Sequence, residues 1–147
     1  MASIYIHIPF CKQACHYCNF HFSTSLKNKE AIVDAISQEL FLKSNSFSET
    51  IDSIYFGGGT PSLLDLNDFE ILLNKIHKKY SISDSVEITV ECNPDDIHED
   101  KLIELKKMSI NRLSIGVQSF VDEELKLMNR SHDSKICLLY TSPSPRD

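Results

Sequence analysis

Ile4-Tyr5-Ile6-His7-Ile8-Pro9-Phe10-Cys11-Lys12-Gln13-Ala14-Cys15-His16-Tyr17-Cys18 joins a short apolar strand to three cysteines within eight residues. Ile4, Ile6 and Ile8 fall on one side of an extended chain, and Tyr5 and His7 on the other. Beyond the strand, Cys11, Cys15 and Cys18 are separated by three and then two residues. Thiolates so spaced can converge on three corners of a cuboidal iron-sulfur cluster, leaving the fourth iron without a protein ligand. An open iron is a place for chemistry.

Other uses of these cysteines fit less well. Structural zinc sites favour four ligands in two close pairs, and the next cysteine is Cys92, although His7, His16 or His21 could complete a set. Disulfides are disfavoured by the odd count of five cysteines and by a start, Met1-Ala2-Ser3, without the basic-then-apolar layout of a signal peptide. The expectation is a reducing cytoplasm. At 147 residues, 41% hydrophobic and 24% charged, the chain has the composition of one soluble core, and no apolar run is long enough to span a bilayer. A net charge of −6 offers nucleic acid no general attraction. The local basic group Lys75, Lys78 and Lys79 reads as a solvated helix face.

Outward from the first strand, strands and helices alternate. Apolar, β-branched runs at Ile4–Ile8, Ile51–Phe56, Val86–Val90 and Leu113–Val117 are each followed by a helical pattern, at Lys29–Lys43, Leu66–Lys79, Glu99–Lys107 and Asp122–Met128. Ile32, Ile36 and Leu40 line one face of the first helix; Phe69, Leu72, Leu73 and Ile76 line one face of the second. Four strand-helix units in succession predict an α/β chain with a parallel sheet and right-handed crossovers.

Strands covered on both faces usually read as continuous apolar runs. Here Val86, Ile88 and Val90 alternate with Glu87, Thr89 and Glu91, and Leu113, Ile115 and Val117 alternate with Arg112, Ser114, Gly116 and Gln118. A partial parallel (β/α) barrel explains this, with about four units, an apolar outer face meeting the helices and a polar inner face. An ordinary sheet with one solvated face is the alternative. The unusual residues all fall at carboxyl ends of strands: the cysteine loop, Gly57-Gly58-Gly59-Thr60-Pro61, Glu91-Cys92-Asn93-Pro94 and Gln118. Barrels and open α/β sheets place their ligand sites at that edge. Three consecutive glycines let backbone approach a ligand closely, Glu91 can accept hydrogen bonds, and Gln118 can donate and accept.

Tyr5-Ile6-His7-Ile8-Pro9-Phe10-Cys11 with Cys15, Tyr17 and Cys18, then Phe56-Gly57-Gly58-Gly59-Thr60-Pro61-Ser62, Glu91 with Asn93-Pro94, and Ser114-Ile115-Gly116-Val117-Gln118-Ser119-Phe120 together resemble a known family. It is the radical S-adenosylmethionine (SAM) proteins grouped with oxygen-independent coproporphyrinogen III oxidase. The resemblance runs from about Ile4 to Asp133. It implies a [4Fe-4S] cluster on Cys11, Cys15 and Cys18, with SAM chelating the open iron. It also implies SAM contacts from Tyr5, Tyr17, Gly58, Gly59, Thr60, Glu91, Gln118 and Arg130. Arg130 taken alone looks like a surface arginine ending a helix. The implied chemistry is one-electron cleavage of SAM to a 5′-deoxyadenosyl radical that abstracts hydrogen from a substrate.

One departure bears on the branch. The decarboxylases of this family carry a fourth cysteine two residues beyond the third, where this chain has Phe20. Phenylalanine there resembles the heme chaperone branch, which keeps cluster and SAM but delivers heme to partner proteins. The implied partners are heme or a porphyrin as cargo, an electron donor such as flavodoxin or ferredoxin, and a heme-receiving protein. Coproporphyrinogen decarboxylase or a related methylase is the alternative. His7, His16, His21 and Cys92 are the heme-ligand candidates, though a hydrogen-bonded histidine and a buried apolar cysteine are plainer readings of His7 and Cys92. His77, His98 and His132 are expected on helix surfaces or loops. Residues 1–136 read as the N-terminal part of the core. The remainder, Cys137 to Asp147, leaves the family pattern, carries two closely spaced prolines and reads as an irregular, foreign tail on a truncated barrel.

Overall fold

Strands β1 (Ala2–Ile8), β2 (Ile51–Gly58), β3 (Ile82–Cys92) and β4 (Arg112–Ile115) lie side by side in chain order, all parallel, in a computed structural model that describes residues 2–140. Between and beyond them run α1 (Lys29–Ser44), α2 (Leu66–Lys79), α3 (Glu99–Lys107), α4 (Asp122–Leu127) and α5 (Ser134–Tyr140). Single turns of 3-10 helix at Pro61–Leu63 and Pro94–Asp96 carry β2 and β3 over into α2 and α3. The elements expected from the periodicity are all present.

The register makes the two faces of the sheet explicit. Ile6 of β1 lies opposite Phe56, Phe56 opposite Val90, and Val90 opposite Leu113. On the other face Tyr5, Tyr55, Thr89 and Arg112 form the matching row. In the apolar row Ile6, Phe56 and Val90 are buried under the helices, and Leu113 is partly covered. Phe69, Leu72 and Ile76 of α2 are fully enclosed, and Phe69 meets Phe56 edge to face with ring centroids 5.2 Å apart. Each side chain of that size, once buried, contributes about 1.5–3 kcal/mol, so α2 is the helix that most firmly holds the sheet. Its start is fixed by Asp65 and Asp68, which cap each other's backbone N–H groups at 3.0 Å. Lys29 at the start of α1 pairs with both carboxylates.

The polar face is open: Tyr5 is 60% exposed, stacked on Tyr55. Three details differ from expectation. Helix α1 buries Val33 and Leu40, with Ile32 and Ile36 only partly covered, so its inward face is rotated slightly. Strand β4 stops at Ile115 instead of Val117, because two consecutive three-residue turns follow it, Val117 N–H to Ile115 O at 3.1 Å and Ser119 N–H to Val117 O at 2.9 Å. The boundary expected after residue 136 falls inside α5, where Cys137 is buried, so Cys137–Tyr140 is helical and not irregular. The rest of that expected tail, 141–147, lies outside the described residues.

Candidate functional site

Carboxyl ends of all four strands meet in one cavity of about 330 Å³. Cys11, Cys15 and Cys18 line it on one side, Gly58, Gly59 and Thr60 on a second, and Glu91, Gln118 and Arg130 close the third. Tyr17 and Phe20 stand at its edge, Phe20 being 68% exposed. Tyr5 is not on this wall. It lies in an adjoining hollow with His7, Phe20 and His21, which shares Gly58 and Glu91 with the main cavity.

The cysteine loop takes its shape from backbone bonds. Cys11 N–H donates to Ser23 O (3.0 Å), Ser23 N–H to Pro9 O (2.8 Å) and Cys18 N–H to Cys15 O (3.1 Å). The carboxyl end of α4 then holds the middle of the loop: His16 donates its N–H to Met128 O, its ring Nδ1 meets Leu127 O at 2.8 Å, and Asn129 donates its side-chain amide to Ala14 O. Carbonyls at a helix end lack intrahelical donors, and here the cysteine loop supplies two of them. Lys12 reaches across to Asp95 (2.9 Å) and Asp96, tying the loop to the Pro94–Asp96 turn.

Gly59 and Thr60 use their amides within the chain, donating to Ile8 O (2.8 Å) and Phe10 O (2.6 Å). The glycine run therefore lets the start of the cysteine loop pass close to the end of β2. Gly58 donates its N–H to Glu91 Oε2 (3.0 Å), and Tyr55 donates its hydroxyl to Glu91 Oε1 (2.7 Å). Hydrogen bonding to Glu91, followed by burial, pushes the Tyr55 hydroxyl above its ordinary value. Each Glu91 oxygen keeps further lone pairs for a ligand.

Arg130 is no surface arginine. Its Nη1 lies 3.5 Å from Cys15 Sγ and 3.3 Å from the Tyr17 hydroxyl, while Nη2 donates to Asn93 Oδ1 (2.7 Å) and to Gly116 O (2.9 Å). Three separate segments, the cysteine loop, Asn93 and Gly116, are thus gathered on one guanidinium. Its Nε is buried without a partner among the described residues. Burial with three thiols around the cavity fits a cluster, since each thiolate of a cubane binds a different iron, and the orphaned Nε–H offers a donor to an anionic group.

Sequence reasoning placed most of this wall but missed Tyr55, Lys12 and His132. Tyr55 was findable, because it alternates with the buried Ile54 and Phe56. His132 lies in the loop between α4 and α5, within the expected range of positions, but its side chain is buried, with Nε2 3.0 Å from Val117 O. Elsewhere His98 caps α3 by accepting from Lys101 N–H, and His7 Nδ1 meets the Tyr5 hydroxyl at 3.1 Å. Cys92 points away from Glu91 into the core.

Burial pushes the Cys92 thiol from its ordinary 9.0 to about 11. Only the thiolate reacts, and Cys15 and Cys18 are half-buried where Cys92 is enclosed, so alkylation of the cluster-free chain at pH 8 should label those two at least ~10-fold faster than Cys92. Peptide mass mapping over time reads this directly. Equal rates would mean that Cys92 is not in the core.

The family model described as the Radical SAM superfamily matches residues 5–137. The chain is 37% identical over 134 residues to the heme chaperone HemW of Escherichia coli, covering 88% of this chain and 35% of that one. It is 38% identical over 141 residues to the HemW of Bacillus subtilis, covering 92% and 36%. A zebrafish (Danio rerio) relative, mitochondrial radical S-adenosyl methionine domain-containing protein 1, is 35% identical over 89% of this chain and 30% of its own. The chain therefore spans about a third of the length of these relatives. Among solved structures, coproporphyrinogen III oxidase (HemN) from E. coli, described as a radical SAM enzyme, superposes with a TM-score of 0.84 at 31% identity, over 93% of this chain and 32% of that one. The archaeal Elp3 of Methanocaldococcus infernus, at 17% identity and a TM-score of 0.58, shares the fold.

Proposed function

The chain belongs to the radical SAM superfamily, and on that premise we propose that it is the cluster- and SAM-binding portion of a heme chaperone. The observation that carries the reading is the single cavity where Cys11, Cys15 and Cys18 face Gly58, Gly59, Thr60, Glu91, Gln118 and Arg130. The three cysteines would hold a [4Fe-4S] cluster. Glu91, oriented by Tyr55 and Gly58, would accept from ligand hydroxyls. Gln118 and the Thr60 hydroxyl would contact SAM beside it, with Tyr17 and Tyr5 at its margin. Arg130, with an unpaired Nε and a bond to Asn93, would meet an anionic group while keeping Cys15 in place. When bound, the cluster supplies the single electron that cleaves SAM.

Heme as cargo, delivery to a heme-receiving protein and reduction by a flavodoxin- or ferredoxin-like donor in the cytoplasm belong to the same proposal. Heme as cargo is supported by the relatives named heme chaperones and by Phe20 in place of a fourth loop cysteine, while the electron donor and the cytoplasmic setting rest on the family resemblance alone. No helix among the described residues is long and apolar enough to cross a membrane.

Anaerobic reconstitution with iron and sulfide, followed by SAM, tests the site. The expected result is a [4Fe-4S] spectrum that changes on adding SAM; a cluster indifferent to SAM would refute the assignment. The heme-chaperone reading is tested by adding coproporphyrinogen III and a strong reductant and analysing products by mass spectrometry. Substrate should be recovered unchanged, and protoporphyrinogen would replace the chaperone with the decarboxylase.

A further inference from the structure

Gln118 sits at φ 67°, in the left-handed region that side chains with a Cβ seldom occupy. The backbone there closes on itself, Ser119 N–H donating to Val117 O at 2.9 Å. This is the positive-φ γ-turn, the rare and strained kind, and such strain persists only where the surroundings over-determine it.

The surrounding that does so is His132. Its Nε2 lies 3.0 Å from the same Val117 carbonyl, and the ring is 4% exposed. A carbonyl can only accept, so Nε2 is the donor and carries the hydrogen. The ring Nδ1 is buried without a partner among the described residues. Leaving a buried polar atom unpaired is costly, and violations of this kind collect at functional sites.

The same short segment grips the neighbouring carbonyl as well. Arg130, two residues earlier, donates to Gly116 O. Residues 130 and 132 thus hold successive carbonyls of the turn, while the Gln118 side chain folds back over Gly116, its Nε2 3.1 Å from where a Cβ would stand. Gln118 reaches the cavity only because its peptide is turned this way.

We propose that His132 is a positioning residue of the SAM site, holding the Val117 carbonyl so that Gln118 keeps its left-handed peptide and presents its amide to the ligand. The proposal rests on the SAM-site reading above. Its test uses the whole chain, reconstituted anaerobically, with SAM affinity read from the change SAM causes in the EPR signal of the reduced cluster.

His132→Leu has no donor, and the amide of His132→Asn is too short to reach Val117; His132→Gln can donate from its own Nε2. Cluster content should match the unsubstituted chain in all three. SAM should bind ~10-fold more weakly to the Leu and Asn variants, the loss of one good hydrogen bond, and within ~3-fold of normal to Gln. In a Gln118→Gly background, where glycine takes φ 67° without penalty, His132→Leu should add almost nothing. Normal affinity in both Leu and Asn would overturn the proposal, as would an equal loss in Gln. So would an undiminished effect in the Gln118→Gly background, or loss of the cluster from both Leu and Asn, which would make His132 a residue of the whole fold. If the unsubstituted chain forms its cluster and ignores SAM, the SAM-site reading fails and the proposal falls with it.

Discussion

Cys15→Ala is expected to leave the chain folded and unable to retain a [4Fe-4S] cluster, with iron, acid-labile sulfide and cluster absorbance falling to background after reconstitution. The two halves of that expectation rest on different contacts. The loop's course is set by the backbone bonds of Cys11, His16, Cys18 and Ser23 and by Asn129 on Ala14 O, none of which needs the thiol. Losing a half-buried sulfur should therefore change stability by only about 0.5–1 kcal/mol. Three thiolates, by contrast, leave a single iron of the cubane open, and removing one breaks the ligand set outright. Cys92→Ala is the control: its thiol lies in the core on the opposite face of β3, so the cluster should form normally while the melting temperature drops modestly. A Cys15→Ala chain with full iron content would show that the cavity is not the cluster site.

Why so much of this was legible, and what was not, has a physical explanation. Period-two alternation fixes which side of a strand each residue takes, so Tyr5, His7, Glu91 and Ser114 were assignable to one face without coordinates. Successive strand-helix units force a parallel order, which brought four motifs to one edge. What stayed hidden depends on side chains meeting across long stretches of chain. Arg130 lies 115 residues from Cys15, and nothing in Asn129-Arg130-Ser131-His132 announces that its arginine turns inward and its histidine is buried. The end of β4 was misplaced for a related reason. Gly116-Val117-Gln118 continues the strand's alternation, but the held carbonyls of Gly116 and Val117 bend it into turns. The run of three glycines reads as a close approach to a ligand, and the structure adds a second use: at Gly59 it also lets the backbone at Ile8 and Phe10 pass close by.

That last point carries the second large prediction, for Gly59→Ala. A Cβ at Gly59 would stand 2.4 Å from Phe10 O, 2.9 Å from Ile8 O and 3.0 Å from Cys11 Sγ. Two of these are backbone oxygens and the third is the thiol proposed to hold the cluster, so no long flexible side chain is available to yield. The same two oxygens accept the amides of Gly59 and Thr60, and forcing them apart lengthens both bonds. Overpacking of this kind costs about 1–3 kcal/mol, and the weakened bonds add about 1 kcal/mol. For a chain of this size the melting temperature should fall by roughly 6–12 °C, and cluster occupancy should fall with it because Cys11 is displaced. Gly58→Ala separates the two effects. Its Cβ would come nearest to the His7 ring, 2.6 Å away and on an exposed side chain that can swing aside, so its main penalty comes from φ 111° and from Glu91, whose bond to the Gly58 amide it disturbs. Gly58→Ala should thus keep the cluster while weakening SAM, whereas Gly59→Ala should lose both. Differential scanning calorimetry and iron analysis on the two variants decide it: a Gly59→Ala chain with unchanged melting and full cluster content would mean that the glycine run does not seat the cysteine loop.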